Sequence, residues 1–92
     1  NFTLNLRGDA STTLNNSLSI GNSVTVVFLN TNGATAYYQT GLSIDGVSIT
    51  PKWQGGTAPS SGNANSIDSY SYTIIKTANN TYTVLASQTR FA

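Results

Sequence analysis

From Ile67 to Thr77 the chain reads IDSYSYTIIKT, and its large side chains fall on alternate positions. Tyr70, Tyr72 and Ile74 share one parity, while Ser69, Ser71 and Thr73 take the other. A period of two places one set on each face of an extended strand, so this pattern predicts a half-buried β-strand. The same alternation returns in FTLNLRG (2–8), where Phe2, Leu4 and Leu6 oppose Thr3 and Asn5, and in TYTVLAS (81–87), where Tyr82, Val84 and Ala86 align. Leu14, Leu18 and Ile20 share a parity and predict another strand, closed by Gly21-Asn22. SVTVVFLN (23–30) differs. Val24, Val26 and Phe28 occupy one parity and Val27 and Leu29 the other, so both faces are apolar. Such a strand is expected to be covered on both sides, by its own domain or by another chain.

Turn chemistry divides the strands. Asn32-Gly33 and Asp45-Gly46 are two-residue hairpin signals, because both positions of that turn need positive φ. The first predicts that ATAYYQT (34–40) returns against 23–30, and the second joins LSI to VSIT. Pro51 cannot donate to a ladder and ends that strand or lies on an edge. QGGTAPSSGNANS (54–66) is the longest loop and a candidate exposed tip. Asn79-Asn80 turns the chain into its last strand, with Phe91 as a closing apolar contact. No window carries a helical apolar stripe. The expectation is an all-β, antiparallel β-sandwich of seven or eight short strands, with a jelly roll or small barrel as alternatives. Ninety-two residues allow one domain, residues 1–92. The start at Asn1 reads as a fragment or terminal domain of a longer or processed protein.

The polar surface is neutral. Ser, Thr, Asn and Gln make up 40 of 92 residues, whereas Asp, Lys and Arg together make only 8% against about a quarter in ordinary domains. Hydroxyls and amides therefore carry solubility, which suits an extracellular, repetitive or assembled protein. Arg7, Lys52, Lys76 and Arg90 are scattered and form no basic stripe for nucleic acid. The longest near-continuous apolar run is VTVVFL, far short of a membrane span, so neither nucleic acid nor membrane insertion is expected.

Catalytic groups are scarce. The chain has no His, Cys or Glu, leaving Asp9, Asp45 and Asp68 as its carboxylates. General acid–base chemistry needs a titratable pair held close together. Asp45 belongs to a turn, Asp9 ends the first strand, and Asp68 opens a strand where it can cap the long loop or pair with a lysine. The reading is non-enzymatic, with no catalytic residue, cofactor or metal. The one metal alternative is a calcium site assembled from distant loops or across subunits. Arg7-Gly8-Asp9 spells an integrin-recognition tripeptide, but its arginine continues the first strand, and Gly-Asp at a strand end is ordinary turn chemistry. Three N-glycosylation triplets, at Asn1, Asn15 and Asn79, equal the roughly three that 11 Asn and 26 Ser or Thr give by chance.

The aromatic residues are the strongest binding candidates. Tyr70, Tyr72 and Tyr82 share parity with Ile74 and Val84, which assigns them to the core. Tyr37 and Tyr38 are adjacent, so one of them leaves the core for solvent, a subunit or a glycan. Trp53 stands beside Gly55, Gly56 and Pro59. It is either a ligand platform on a loop or a corner where one sheet folds onto the other. The glycines would give close approach or positive φ and the proline would fix the loop exit, and the residues alone leave both readings open. Tyr37, Tyr38 and Trp53 are the candidate glycan or receptor contacts. Val24, Val26, Val27, Phe28 and Leu29 are the candidate subunit contact.

The second half, W-x-G-G-x-x-P, then a polar loop, then I-D-x-Y-x-Y-x-I and an aromatic strand, resembles β-rich domains of tail fibres and related virion proteins of tailed phages, marine ones above all. Its residues here are Trp53, Gly55, Gly56, Pro59, Ile67, Asp68, Tyr70, Tyr72, Ile74 and Tyr82. The match covers about 44–92; residues 1–43 fit more loosely, and Asn80-Thr81 stands where the related domains often have Gly-Thr. The resemblance implies a non-enzymatic virion component, a homotrimer near the distal end of a fibre or appendage in contact with other virion proteins, with Trp53 as a structural corner. It supplies no receptor, and a host-surface glycan is the further partner expected from the exposed aromatic residues. A capsid decoration or head-fibre protein, and a carbohydrate-binding module of a secreted protein, are the alternatives.

Overall fold

The computed structural model describes residues 1–8 and 12–91. Seven strands form two open sheets. They are β1 (Phe2–Leu6), β2 (Ser23–Thr31), β3 (Gln39–Ile44), β4 (Val47–Ile49), β5 (Lys52–Trp53), β6 (Ile67–Ala78) and β7 (Thr81–Phe91). The smaller sheet has the order β1-β3-β4 and the larger β2-β6-β7-β5. The fold is an all-β sandwich, and neither sheet closes into a barrel. The sheets are mixed rather than purely antiparallel, because β1 runs parallel to β3 and β5 parallel to β7.

The parity read from the sequence sets the core. β6 buries Asp68, Tyr70, Tyr72, Ile74 and Lys76, all on one face. β7 adds Val84 and Ala86 beside them, and β3 supplies Leu42 and Ile44 from the opposite layer. Aromatic edges join the layers. Phe2 of the small sheet lies 5.5 Å from Phe28 and 5.8 Å from Tyr70 between ring centroids, the latter edge-on. Trp53 meets Tyr72 edge-on at 6.3 Å. Each such pair contributes about 0.5–1.5 kcal/mol beyond its buried area.

Three local expectations are corrected. Asn32-Gly33 makes no hairpin: β2 pairs with β6, Thr31 opposite Ile67, and the chain after Asn32 crosses to the other sheet, where β3 pairs with β1. Gly33 has no positive φ, so nothing there forces the reversal. The strand expected around 14–20 is instead a short helix, α1 (Leu14–Ser17). Leu14 and Leu18 lie four apart, a spacing that fits a strand face and a helix face equally. Phe91 closes no core and is 56% exposed on the outer face of β7. Asp45-Gly46 does form the tight turn, with φ of 53° and 82°. Pro51 follows β4 outside any strand.

Helix α1 is too short to persist alone and is held at both ends. The Thr13 hydroxyl accepts from Asn16 N at 3.1 Å, and the Asp45 carboxylate accepts from Leu14 N (2.7 Å) and Asn15 N (3.1 Å). At the other end, buried Lys76 donates from Nζ to Asn15 O (2.8 Å) and Leu18 O (2.9 Å). A carboxylate at the N-terminus and an ammonium at the C-terminus complement the peptide dipoles. They also tie the β3–β4 turn to β6 in the other sheet.

Two buried side-chain oxygens lack a partner among the described residues, Gln39 Oε1 and the hydroxyl of Tyr72. Burial, and secondarily the neighbouring Tyr70, push the Tyr72 pKa well above the ordinary 10.0; burial and Asp45 push Tyr82 the same way. Above pH 10 the unfolded chain ionises these tyrosines more readily than the folded chain does, most of all at Tyr72. Their contribution to stability is complete below 10 and is lost as pH rises beyond it. Urea midpoints measured at about pH 8 and about pH 11 should show this fall, and Tyr72→Phe should make it shallower. At about pH 8 the same variant should be neutral or up to about 1 kcal/mol more stable, since it removes a hydroxyl that is desolvated without return. A loss of more than about 1 kcal/mol would mean that the hydroxyl has a partner.

Candidate functional site

Trp53 stands where the chain changes sheets. β4 belongs to the small sheet and β5 to the large one, with only Thr50 and Pro51 between them. Lys52 and Trp53 pair with Leu85 and Ala86 of β7, and a single turn of 3-10 helix follows over Gln54–Gly56. Gly55 and Gly56 have φ of 79° and 83°, and a Cβ on either would meet nothing within 4 Å. They serve the left-handed backbone rather than a close approach to the indole. Pro59 is half-buried further along the loop.

Trp53, half-buried, is among the residues lining each of two depressions. The larger, about 400 Å³, has hydroxyls of Ser71, Thr73 and Ser87 and the side chain of Leu85 on its floor, with Lys52, Trp53 and Gln54 beside them. The smaller, about 220 Å³, lies between Trp53, Gln54, Thr57, Pro59, Ser87 and Gln88. An aromatic wall, amides and hydroxyls can hold a neutral polar ligand through stacking and hydrogen bonds. Neither depression holds a carboxylate, and Lys52 is their one cation, so no acid–base pair lines them. Among the described residues no three potential metal ligands gather. Asp9 of the Arg-Gly-Asp tripeptide lies outside the described residues; Arg7 is exposed and Gly8 is packed tightly against Ser17 and Thr13.

Tyr37 and Tyr38 lie elsewhere and line neither depression. Tyr37 is 51% exposed and Tyr38 half-buried, in the crossover between β2 and β3 rather than in a strand. A buried amide hub sets their backbone. Asn32 accepts at Oδ1 from Tyr37 N (3.3 Å) and donates from Nδ2 to Tyr37 O (3.1 Å), Asn63 O (3.1 Å) and the Asp68 carboxylate (3.4 Å). Asp68 also accepts from Asn63 N (3.0 Å) and Asn63 Nδ2 (2.7 Å). It caps the long loop and pairs with no lysine among the described residues. Gly62 is required for space, since a Cβ there would strike the Tyr37 carbonyl.

The hub limits the long loop as an exposed tip. Residues 61–66 are pinned by Asn63, by Asn65 N donating to Gly33 O and by Gln88 Nε2 donating to Ser61 O. Thr57, Ala58 and Ser60 remain exposed. Asn32 went unread as a structural residue because Asn-Gly mimics a hairpin signal. The legible clue was Asp68, a charge on the inward parity of β6. Of the residues expected to contact a subunit, Val24, Val26 and Phe28 are half-buried against the core, while Val27 and Leu29 are 57% and 61% exposed. Among the described residues nothing covers the second apolar face of β2, contrary to one of the two expected covers. The chain matches no family model, no curated protein and no solved structure.

Proposed function

We propose that this chain is a non-enzymatic structural domain of a tailed-phage virion protein, in a tail fibre or similar appendage, serving assembly and attachment to a host-surface glycan. The observation that carries the reading is the outer face of β2, β6 and β7. Five outward positions on each strand, from Ser23, Ile75 and Thr83 at one end to Thr31, Ile67 and Phe91 at the other, are all Ser, Thr, Val, Leu, Ile or Phe. A broad face without charge or amide suits contact with protein copies more than a small-molecule reaction. The W-x-G-G-x-x-P pattern adds the virion context. Copies acting together, three of them in the resemblance, would convert weak glycan contacts into firm attachment through effective concentration.

A carbohydrate-binding module of a secreted protein is the second reading, favoured by the hydroxyl-floored depression beside Trp53. The complete reading frame and its neighbouring genes test the choice. Virion structural genes on either side support the proposal, with head genes pointing to a decoration or head-fibre protein; a glycoside hydrolase in the same frame overturns it. A glycan array then tests attachment, using Tyr37→Ala, Tyr38→Ala and Trp53→Ala. Binding that all three variants keep would remove these residues as contacts.

A further inference from the structure

We infer that β2 is a self-pairing edge, and that two copies of this chain join antiparallel through it into one continuous eight-stranded sheet. The inference rests on β2 alone. It stands whether or not the domain is a virion part, and its order of two departs from the three copies that the resemblance implies.

β2 lies at the end of the sheet order, with β6 on one side and no described strand on the other. Lys76 N donates to Asn22 O and Asn32 N donates to Ser66 O, so the even-numbered positions carry the bonds to β6. Antiparallel ladders alternate, and the odd positions therefore turn their N–H and C=O groups to the free side. These are Ser23, Thr25, Val27, Leu29 and Thr31, and no described hydrogen bond engages their backbone. Native edges of this length are usually blunted by Lys, Pro, a bulge or a covering loop. SVTVVFLNT has no charge and no proline, and its ladder with β6 runs nine residues without a register shift.

The strand is its own complement about Val27. An antiparallel two-fold centred there sets Val27 against its copy, Thr25 against Leu29 and Ser23 against Thr31. Every pair in that register lies in the bonded phase, so all five N–H and five C=O groups of each copy are satisfied. Sliding one copy by a single residue would put the odd-numbered groups of one copy opposite the even-numbered positions of the other and lose this match. Sliding it by two keeps the phase but leaves one odd position of each copy outside the paired strand. The same register gathers the exposed Val27 and Leu29 of both copies into one aliphatic cluster on the outer face. At the far end of the sheet, β5 covers only two residues of β7 and the 3-10 turn follows. The long edge is used once per copy, which gives a closed pair instead of a filament.

Sedimentation across micromolar to millimolar concentration, with amide hydrogen exchange read by NMR, tests this. The expected species has twice the monomer mass, and the amides of Thr25, Val27 and Leu29 become protected as it forms. Val27→Lys keeps an exposed position but sets two ammonium groups against each other at the two-fold, and should weaken pairing by at least about tenfold. Leu85→Lys, on the same outer face two strands away, should leave pairing intact. A monomer at millimolar concentration, a trimer, or a dimer in which those amides stay unprotected overturns the inference. Should Val27→Lys fail to fold, the exchange pattern of the unaltered chain still decides it.

Discussion

Asp68→Ala should cost about 3–5 kcal/mol, the largest loss expected from any single polar truncation in this domain. The carboxylate has no solvent exposure and accepts from Asn63 N, Asn63 Nδ2 and Asn32 Nδ2. Truncation leaves those donors without an acceptor, and each buried unsatisfied group costs about 1–3 kcal/mol. The losses are not additive, because Asn32 and Asn63 belong to one network and can relax together. A domain of this size has a total stability of roughly 5–14 kcal/mol, so the variant approaches the point of unfolding. At about 4–8 °C per kcal/mol, a 3 kcal/mol loss lowers the melting midpoint by roughly 12–24 °C. Asp68→Asn keeps the volume and one acceptor and should lose less. Thermal melts of the two variants check the order, and a change within about 0.5 kcal/mol for Asp68→Ala would show that the hub contributes nothing.

The hub also marks where sequence reasoning reached its limit. Strand identity was legible because alternation is local: Tyr70, Tyr72 and Ile74 need only their own neighbours to declare a face. Local pairing was legible too, at Asp45-Gly46 between β3 and β4 and at Asn79-Asn80 between β6 and β7. Distant pairing was not, because it is decided by residues far apart in the chain. Asn32-Gly33 carries a hairpin signature, yet the amide of Asn32 is consumed by Tyr37, Asn63 and Asp68. Only the fold brings those partners within reach. The parallel pairing of β1 with β3 was hidden for the same reason, since β2 in the other sheet intervenes between them.

Charge on an inward parity turned out to be informative. Asp68 and Lys76 lie at the two ends of the buried face of β6, with only tyrosines and isoleucine between them on that face. A burial pattern with charges at its ends predicts groups that cap something else, because an unpaired buried charge is costly. Asp68 caps the long loop and Lys76 caps α1. That rule applies to IDSYSYTIIKT as a sequence, although it does not name the partners. At the candidate site, the positive φ of Gly55 and Gly56 was within reach of the sequence, whereas the depressions that Trp53 lines depend on β7 lying beside β5.

Trp53→Ala is expected to destabilise the domain by about 2 kcal/mol while leaving it folded. Full truncation of a buried Trp or Phe costs about 3–5 kcal/mol, and Trp53 is only half-buried. Its inner edge meets Tyr72, so part of the loss is the aromatic pair itself. The rest is the anchoring of a chain that crosses sheets within two residues and then enters a glycine pair costly to order. Trp53→Phe should recover about half of the loss, because a smaller ring can still reach Tyr72. The two roles weighed for this residue separate on paired measurements of stability and glycan binding. A corner residue loses stability in both variants, in proportion to ring size. A ligand platform keeps the melting midpoint within about 4 °C, equivalent to less than about 1 kcal/mol, and loses only binding. The second pattern would move Trp53 from the fold to the site and leave the glycine pair as the sole reason for the corner.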